Sequence, residues 1–566
     1  MRVVCISAEC EPWAKTGGLG DVVDALARAV GAAGAGGPGG TGGPSGVGAA
    51  SSAGARPATG KTGTRPPRPD LAADENVVPL PVGAPRLPQS QVWMGTGAVM
   101  RVGSEEPEPL GEVEPPVDVF LPKYRGMVVP EDATIRPLSV PDPLASNGIT
   151  DVKLVEFEAR GYRVRLIDHA PAFDRDDYYG GPAGDYPDNG WRFGLLCRAA
   201  FEALLLDERP VDVIHLHDWE AMPAAVLRDC AYEGYPLIYR AAIMATIHNL
   251  AYQGWLSRDQ AAGLAFPDEL AQAMPAGADG LLLLREGVTR AELSNTVSPG
   301  YAAEILEPHQ GMGMDPILRR LGHRFGGILN GLDMAVWDPE TDDALPARYS
   351  RTNLAGKAEC RRALLDELGF DPDDAAPLLG MIGRLDPQKG FDLLAHAAPE
   401  LVAMGARVVA LGTGDRTLVA SLRRVAQAHP RAVALVEKFD RALARRIYAG
   451  SDMFVMPSRF EPCGQGQMIA MRYGTPPIVH RTGGLADTVV DVDERPDEGT
   501  GFVHSEATPA ALVEACRRAI RHFEAGGPEW VALRDRGMSI DWSWEAGPAE
   551  QYIASYRRAV SLRREL

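Results

Sequence analysis

Residues 457–489 read PSRFEPCGQGQMIAMRYGTPPIVHRTGGLADTV and concentrate side chains able to do chemistry. An apolar strand at 453–456 runs into a polar turn carrying Glu461, Cys463 and Gly464. A helical run at 468–472 follows, and a second apolar strand at 477–479 ends in Thr482-Gly483-Gly484. A carboxylate in the first loop and bare backbone amides in the second suit one face of a sugar-phosphate site. Upstream, Arg384 and Lys389 stand in the loop MIGRLDPQKG after another apolar strand. Both could reach a pyrophosphate at the N-terminus of the helix that follows; the alternative is a solvated basic loop. Near the start, Lys15-Thr16-Gly17-Gly18-Leu19-Gly20-Asp21 follows the first strand. Gly17 and Gly18 let the backbone approach a phosphate there, although a Gly-Gly turn alone also describes a simple loop.

His215 and His217 alternate at the end of a further strand, so both side chains fall on one face. Two such histidines could ligate a metal, yet no third ligand stands at the usual spacing. Asp491 and Asp493 form an Asp-x-Asp element in an acidic loop and read as solvated. No metal and no organic cofactor is expected. Cys463 is expected to stay reduced at the pocket, without a nucleophile's role.

Strands and helices must place these groups. Strands are expected at 3–6, 117–121, 163–168, 211–217 and 242–248, with helices at 21–30, 192–206 and 221–232. A second series of strands begins at 378–382 and continues through 408–411, 432–436, 453–456 and 478–479. The alternation implies parallel sheets with helices on both faces, and ligands in such sheets bind at the carboxyl ends of the strands. Between them, residues 34–116 are dominated by Gly, Pro, Ala and Ser and read as a disordered insertion. A short strand pair at 91–102 is the one element suggested inside it.

The 566 residues exceed what one core sustains. A net charge of −19 argues against a nucleic-acid or anionic-membrane surface, which would need a basic face, and leaves room for a local basic pocket for phosphate. Seven scattered cysteines form no C-x-x-C pair, so neither a disulfide framework nor a zinc site is indicated. The chain opens on a strand without a signal-peptide core, and no run approaches the ~18 apolar residues of a membrane span. These features predict a cytoplasmic protein.

The 457–489 segment closely resembles the nucleotide-sugar motif of bacterial glycogen synthases and plant starch synthases. MIGRLDPQKG is similar to that family's S-R-L-x-x-Q-K-G, and KTGGLGD to its K-T-G-G-L. His217-Asp218-Trp219 matches H-D-W, and Thr246-Ile247-His248-Asn249-Leu250-Ala251-Tyr252-Gln253-Gly254 matches T-x-H-N-L-A-Y-Q-G. Tyr186-Pro187-Asp188-Asn189, with Arg192-Phe193, and Leu329-Asn330-Gly331-Leu332-Asp333 match two further elements. The resemblance covers nearly all of the chain outside the insertion.

It implies an α/β GT-B glycosyltransferase: two Rossmann-like parallel-sheet domains facing a deep cleft. Residues 1–328 would form the acceptor and catalytic domain and 329–544 the nucleotide-sugar domain. Residues 545–566 would form a helix crossing back to the first domain. The implied reaction moves glucose from ADP-glucose to the non-reducing end of an α-1,4-glucan such as glycogen, with retention of configuration. Glu461, Arg384, Lys389, His217 and Asp188 would be catalytic. Lys15, Gly17, Gly18, Asp21, His248, Asn249, Asn330, Cys463, Thr482, Gly483 and Gly484 would contact substrate. Lys438 and Arg445 stand where relatives have Gly and His, and Gln465-Gly466 replaces Leu-Asn or Leu-Thr. These departures leave open a UDP-glucose donor or another acceptor. A catalytically silent glucan-binding scaffold is the rival from another class.

Overall fold

The computed structural model of the chain describes residues 1–16, 18–34, 116–181, 184–274 and 277–565. Gly17, nearly all of the 34–116 insertion and the strand pair suggested at 91–102 lie outside the described residues.

Most of the strands fall into two large sheets, with two small two-stranded pairs besides. The first has nine strands, in the order Phe325–Gly327, Leu293–Thr296, Ala242–Ile247, Val213–His217, Val3–Ile6, Val117–Pro122, Tyr162–Asp168, Ile149–Ala159 and Thr134–Pro141. Seven pair with one another in parallel; Ile149–Ala159 and then Thr134–Pro141 are added at one edge through antiparallel pairings. The second sheet is fully parallel, in the order Val433–Val436, Arg407–Leu411, Leu378–Ile382, Met453–Met456, Pro477–His480 and Phe502–His504.

Alternation along the strands builds two cores per sheet. Val4 and Ile6 face Phe193, Leu196 and Phe201 of the helix Asn189–Asp207. Val3 and Cys5 face Val22, Val23 and Leu26 of the helix Gly18–Gly34, on the opposite side. Tyr552 and Tyr556 of the last helix, Pro548–Glu565, are buried in that second cluster, so the C-terminus packs on the first sheet. Among the described residues no helix is long and apolar enough to cross a membrane.

Within its parallel strands, each sheet reverses its strand order at one place. In the first, Val3–Ile6 lies between Val213–His217 and Val117–Pro122; in the second, Leu378–Ile382 lies between Arg407–Leu411 and Met453–Met456. Ligand crevices of open parallel sheets form where neighbouring loops diverge at such reversals. The loops at these two places carry Lys15, His217, Arg384, Lys389 and Glu461.

Three expectations need correction. The helix expected over 221–232 is two pieces, Asp218–Ala221 and Pro223–Cys230, because Pro223 cannot donate a helical hydrogen bond and starts a new turn. The first helix begins at Gly18, not at 21. The Asp491 loop is solvated only in part: Asp493 is exposed, whereas Asp491 is buried, accepts from the Val503 amide at 2.6 Å and pairs with Arg518 at 3.1 Å.

Candidate active site

The second-lobe half of the site is two loops bound to each other. After Leu378–Ile382 the chain makes a short 3₁₀ turn, Pro387–Lys389, whose N-cap Asp386 accepts from the Lys389 amide at 3.0 Å. Gly390 then adopts φ +74°, and a Cβ there would lie 2.3 Å from the Pro457 carbonyl oxygen. That close approach lets the second loop lie against the first. The Arg459 amide donates to the Gln388 carbonyl at 2.8 Å, and Gln388 Nε2 donates to the Phe460 carbonyl at 3.3 Å.

The pairing brings Lys389 Nζ to 2.8 and 2.6 Å from the two carboxylate oxygens of Glu461. Ser458 Oγ donates to Glu461 Oε2 at 3.0 Å, and His480 Nδ1 donates to the Ser458 carbonyl at 2.7 Å. Glu461 is only 4% exposed, so its charge is held by a cation and a hydroxyl rather than by water. Arg384 stands apart from this pair: its side chain is 55% exposed and reaches the Tyr252 hydroxyl of the first lobe at 3.3 Å. It is the freer of the two loop cations.

The glycines after Pro477–His480 serve this turn. A Cβ on Gly483 would sit 2.1 Å from the Glu461 carbonyl oxygen, and one on Gly484 would sit 2.1 Å from that of Cys463. The Gly484 amide donates to the Glu461 carbonyl at 3.0 Å. The Gly483 amide donates to Glu304 Oε1 at 2.7 Å, and Thr482 Oγ1 lies 3.1 Å from both Glu304 oxygens. The amides of Gly483 and Gly484 are therefore not bare, contrary to expectation: close packing of the turn engages them. Burial pushes the Cys463 thiol up to about 12, opposed by the Asn330 backbone amide, so it remains protonated. Asn330 is itself buried, and its side-chain oxygen has no hydrogen-bond partner.

In the first lobe, His217 Nδ1 lies 3.0 Å from His248 Nε2, while His217 Nε2 is buried and has no partner. The His248 amide donates at 2.7 Å to Asp218, which is held at φ +56°, a conformation rare for a non-glycine residue and concentrated at functional sites. Burial drives His217 well below its ordinary range and His248 down to about 3, so both rings are neutral. Burial also lifts Asp218 to about 7, against the amides of His248 and Asn249. Asn249 Oδ1 accepts from the Ala251 amide at 3.0 Å.

The third metal ligand that spacing did not reveal is present in space. Cys5 lies across from His215 in the sheet register, and Cys5, His215 and His217 place ligand atoms within 4.8 Å of one another. The chemistry does not fit a metal. His215 uses both nitrogens, to the Tyr556 hydroxyl at 2.9 Å and to Thr246 Oγ1 at 2.6 Å. Burial, then Asp118, pushes the Cys5 thiol up to about 12. Both ring nitrogens of His215 are thus engaged within the fold.

The remaining expected residues are spread more widely. Lys15 Nζ is ion-paired with Asp21 and lies 3.6 Å from Glu11, which in turn meets Arg441 of the second lobe at 3.0 Å. A Cβ on Gly18 would meet nothing within 4 Å, so the position faces open space. Asp188 is gripped by Arg175, at 2.8 Å for one contact, and stands at the start of the helix Asn189–Asp207, with no hydrogen bond or ion pair to the Glu461 cluster among the described residues. Lys438 pairs with Asp440 at 2.7 Å. Arg445 lies 4.6 Å over the Trp337 ring and 3.0 Å from Asp342.

Two parallel-sheet lobes with paired loops at their strand-order reversals define a GT-B glycosyltransferase. Residues 2–36 and 92–320 match the starch synthase catalytic domain family, and residues 376–522 match glycosyl transferases group 1. A glycogen synthase of Halorhodospira halophila is 41% identical over 468 residues, covering 80% of this chain and 94% of that protein. One from Syntrophotalea carbinolica is 38% identical over 472 residues, covering 82% and 96%. The catalytic domain of starch synthase IV from Arabidopsis thaliana, solved bound to ADP and acarbose, shares 30% identity and superposes with a TM-score of 0.77 over 99% of each chain. The chain belongs to the glycogen and starch synthase family.

Proposed function

We propose that the protein lengthens α-1,4-glucans such as glycogen, transferring glucose from ADP-glucose to the non-reducing end with retention and releasing ADP. The observation that carries this reading is the buried Glu461 carboxylate held by Lys389, with the exposed guanidinium of Arg384 on the same loop as Lys389. Departure of a nucleoside diphosphate puts negative charge on phosphate and positive charge on the sugar. Arg384 and the ammonium of Lys389 meet the first charge. Glu461 meets the second and orients glucose hydroxyls, using acceptor capacity left by Lys389 and Ser458.

In the first lobe, the unpartnered Nε2 of His217 is directed to a donor-sugar hydroxyl, and the free Asn330 oxygen supplies an acceptor at the cleft. Lys15, with Asp21, and the 248–249 loop contact donor or glucan, as do Asp188, Gly17 and Gly18. Thr482, Gly483, Gly484 and Cys463 shape the pocket by fixing the Glu461 turn. The proposal takes residues 1–328, 329–544 and 545–566 as the two domains and the returning helix, and the cytoplasm as the location. Competition between labelled ADP-glucose and UDP-glucose for transfer onto glycogen tests the donor. Preference for UDP-glucose would move the donor assignment, and transfer from neither would favour a scaffold.

A further inference from the structure

Two short helices meet across the lobes and exchange carboxylates. Pro299–Glu304 belongs to the first lobe and Gly483–Thr488 to the second. The Gly300 amide, at the start of one, donates to Asp487 Oδ2 of the other at 2.7 Å. The Gly483 amide, at the start of the second, donates to Glu304 Oε1 at the end of the first, also at 2.7 Å. Opening amides of a helix lack partners within it, and an anionic acceptor there makes a short, charge-assisted bond. The two helices approach so closely that a Cβ on Gly300 would lie 2.8 Å from the Gly483 carbonyl oxygen.

This joint is wired to both halves of the site. Ser298 Oγ donates to the Pro462 carbonyl at 2.6 Å, inside the Glu461-Pro462-Cys463 turn. The Tyr301 hydroxyl accepts from the Leu250 amide at 3.2 Å, in the loop that carries His248 and Asn249. Gly484, next to the capped Gly483, holds the Glu461 carbonyl. We infer that Glu304 and Asp487 are positioning residues for glucosyl transfer: by capping each other's helix they fix the Glu461 turn of one lobe against the His248 loop of the other. The inference rests on the proposed function. Misplacing reacting groups by about 1 Å is enough to slow an enzyme about a hundredfold.

The test compares full-length wild type with Glu304→Ala, Glu304→Gln, Asp487→Ala and the Glu304→Ala/Asp487→Ala double variant. The readouts are kcat and KM for transfer onto glycogen, ADP affinity by calorimetry and Tm. Glu304→Ala is expected to lower kcat about 10- to 100-fold with ADP affinity within about twofold. Glu304→Gln, whose oxygen still accepts from the Gly483 amide, should recover most of that loss. The double variant should fall short of the product of the singles, since both break one joint. If Glu304→Ala does not fold, the Glu304→Gln and Asp487→Ala pair decides: equal kcat loss in both would contradict the capping role. A wild type that transfers glucose and a Glu304→Ala that matches it would overturn the inference alone. Tighter ADP binding by Glu304→Ala would also overturn it, making Glu304 an occupant of an anion site. A wild type that transfers nothing would overturn the functional reading and this role with it.

Discussion

Lys389 Nζ bridges both carboxylate oxygens of Glu461, at 2.8 and 2.6 Å, with the carboxylate 6% and the lysine 24% exposed. The pair is polar machinery set into a nearly dry wall. Removing one partner leaves the other charge with poor solvation, whereas removing both removes the problem. Lys389→Ala should therefore cost about 1–3 kcal/mol of stability, with Glu461→Ala/Lys389→Ala less destabilised than the sum of the singles. Urea denaturation of the four proteins measures this directly. Strict additivity would show that the contact contributes little.

The buried histidines predict a definite pH dependence. Burial holds His215 and His248 at about 3, far below their ordinary 6.5, and His217 lower than its ordinary value too. Below about pH 6.5 the unfolded chain takes up protons that the folded chain refuses, so stability should fall as pH drops toward 3. The slope contributed by each ring is about 1.4 kcal/mol per pH unit within that window and vanishes above it. Denaturation midpoints between pH 8 and pH 5 should show this fall, shallower in His248→Asn. An imidazole signal from His217 or His248 titrating near 6.5 would contradict it.

The last helix is tied into the floor of the site by a polar chain. The Tyr556 hydroxyl meets His215 Nδ1 at 2.9 Å, His215 Nε2 meets Thr246 Oγ1 at 2.6 Å, and Thr246 Oγ1 donates to Asn295 at 2.6 Å. Asn295 in turn donates to the Tyr552 hydroxyl at 3.1 Å. Tyr556→Phe strands a buried ring nitrogen and should cost about 1–3 kcal/mol. The fold stays intact, so kcat should change by no more than a few-fold. A stability unchanged within error would show that His215 finds another partner.

Gly390→Ala forces a side chain onto a left-handed backbone and into the Pro457 carbonyl, 2.3 Å from the new Cβ. The joint cost should exceed about 2 kcal/mol, and the displaced Pro457–Glu461 loop should abolish most transfer. Thermal unfolding and initial rates check both parts. An active, wild-type-stable variant would mean that the two loops are not braided as described.

Much of this was legible because the strongest signals were local. Apolar runs ending at Ser7, Gly383 and Pro457 located Val3–Ile6, Leu378–Ile382 and Met453–Met456, and the loops after them carried the reactive side chains. The antiparallel pair Thr134–Pro141 and Ile149–Ala159 gave no such run: in the first, only Leu138 and Val140 are buried. Long-range relationships were invisible for a different reason. Sheet register puts Cys5 beside His215, and helix packing puts Glu304 on Gly483, but neither follows from spacing along the chain. Ser298-Pro299 did carry a helix-start signature, since a serine N-cap precedes proline at the first helical position. The amides of Gly483 and Gly484 looked free because sequence shows a glycine turn and not what covers it.

The most direct test of the account is labelled glucose transfer from ADP-glucose onto glycogen by wild type and by Glu461→Gln, with both proteins shown to be folded. The prediction is elongation by the wild type with release of ADP, and a loss of about 10³-fold or more in the variant, the scale of removing a group that stabilises transition-state charge. Equal rates in the two proteins would contradict Glu461 as the centre of the chemistry.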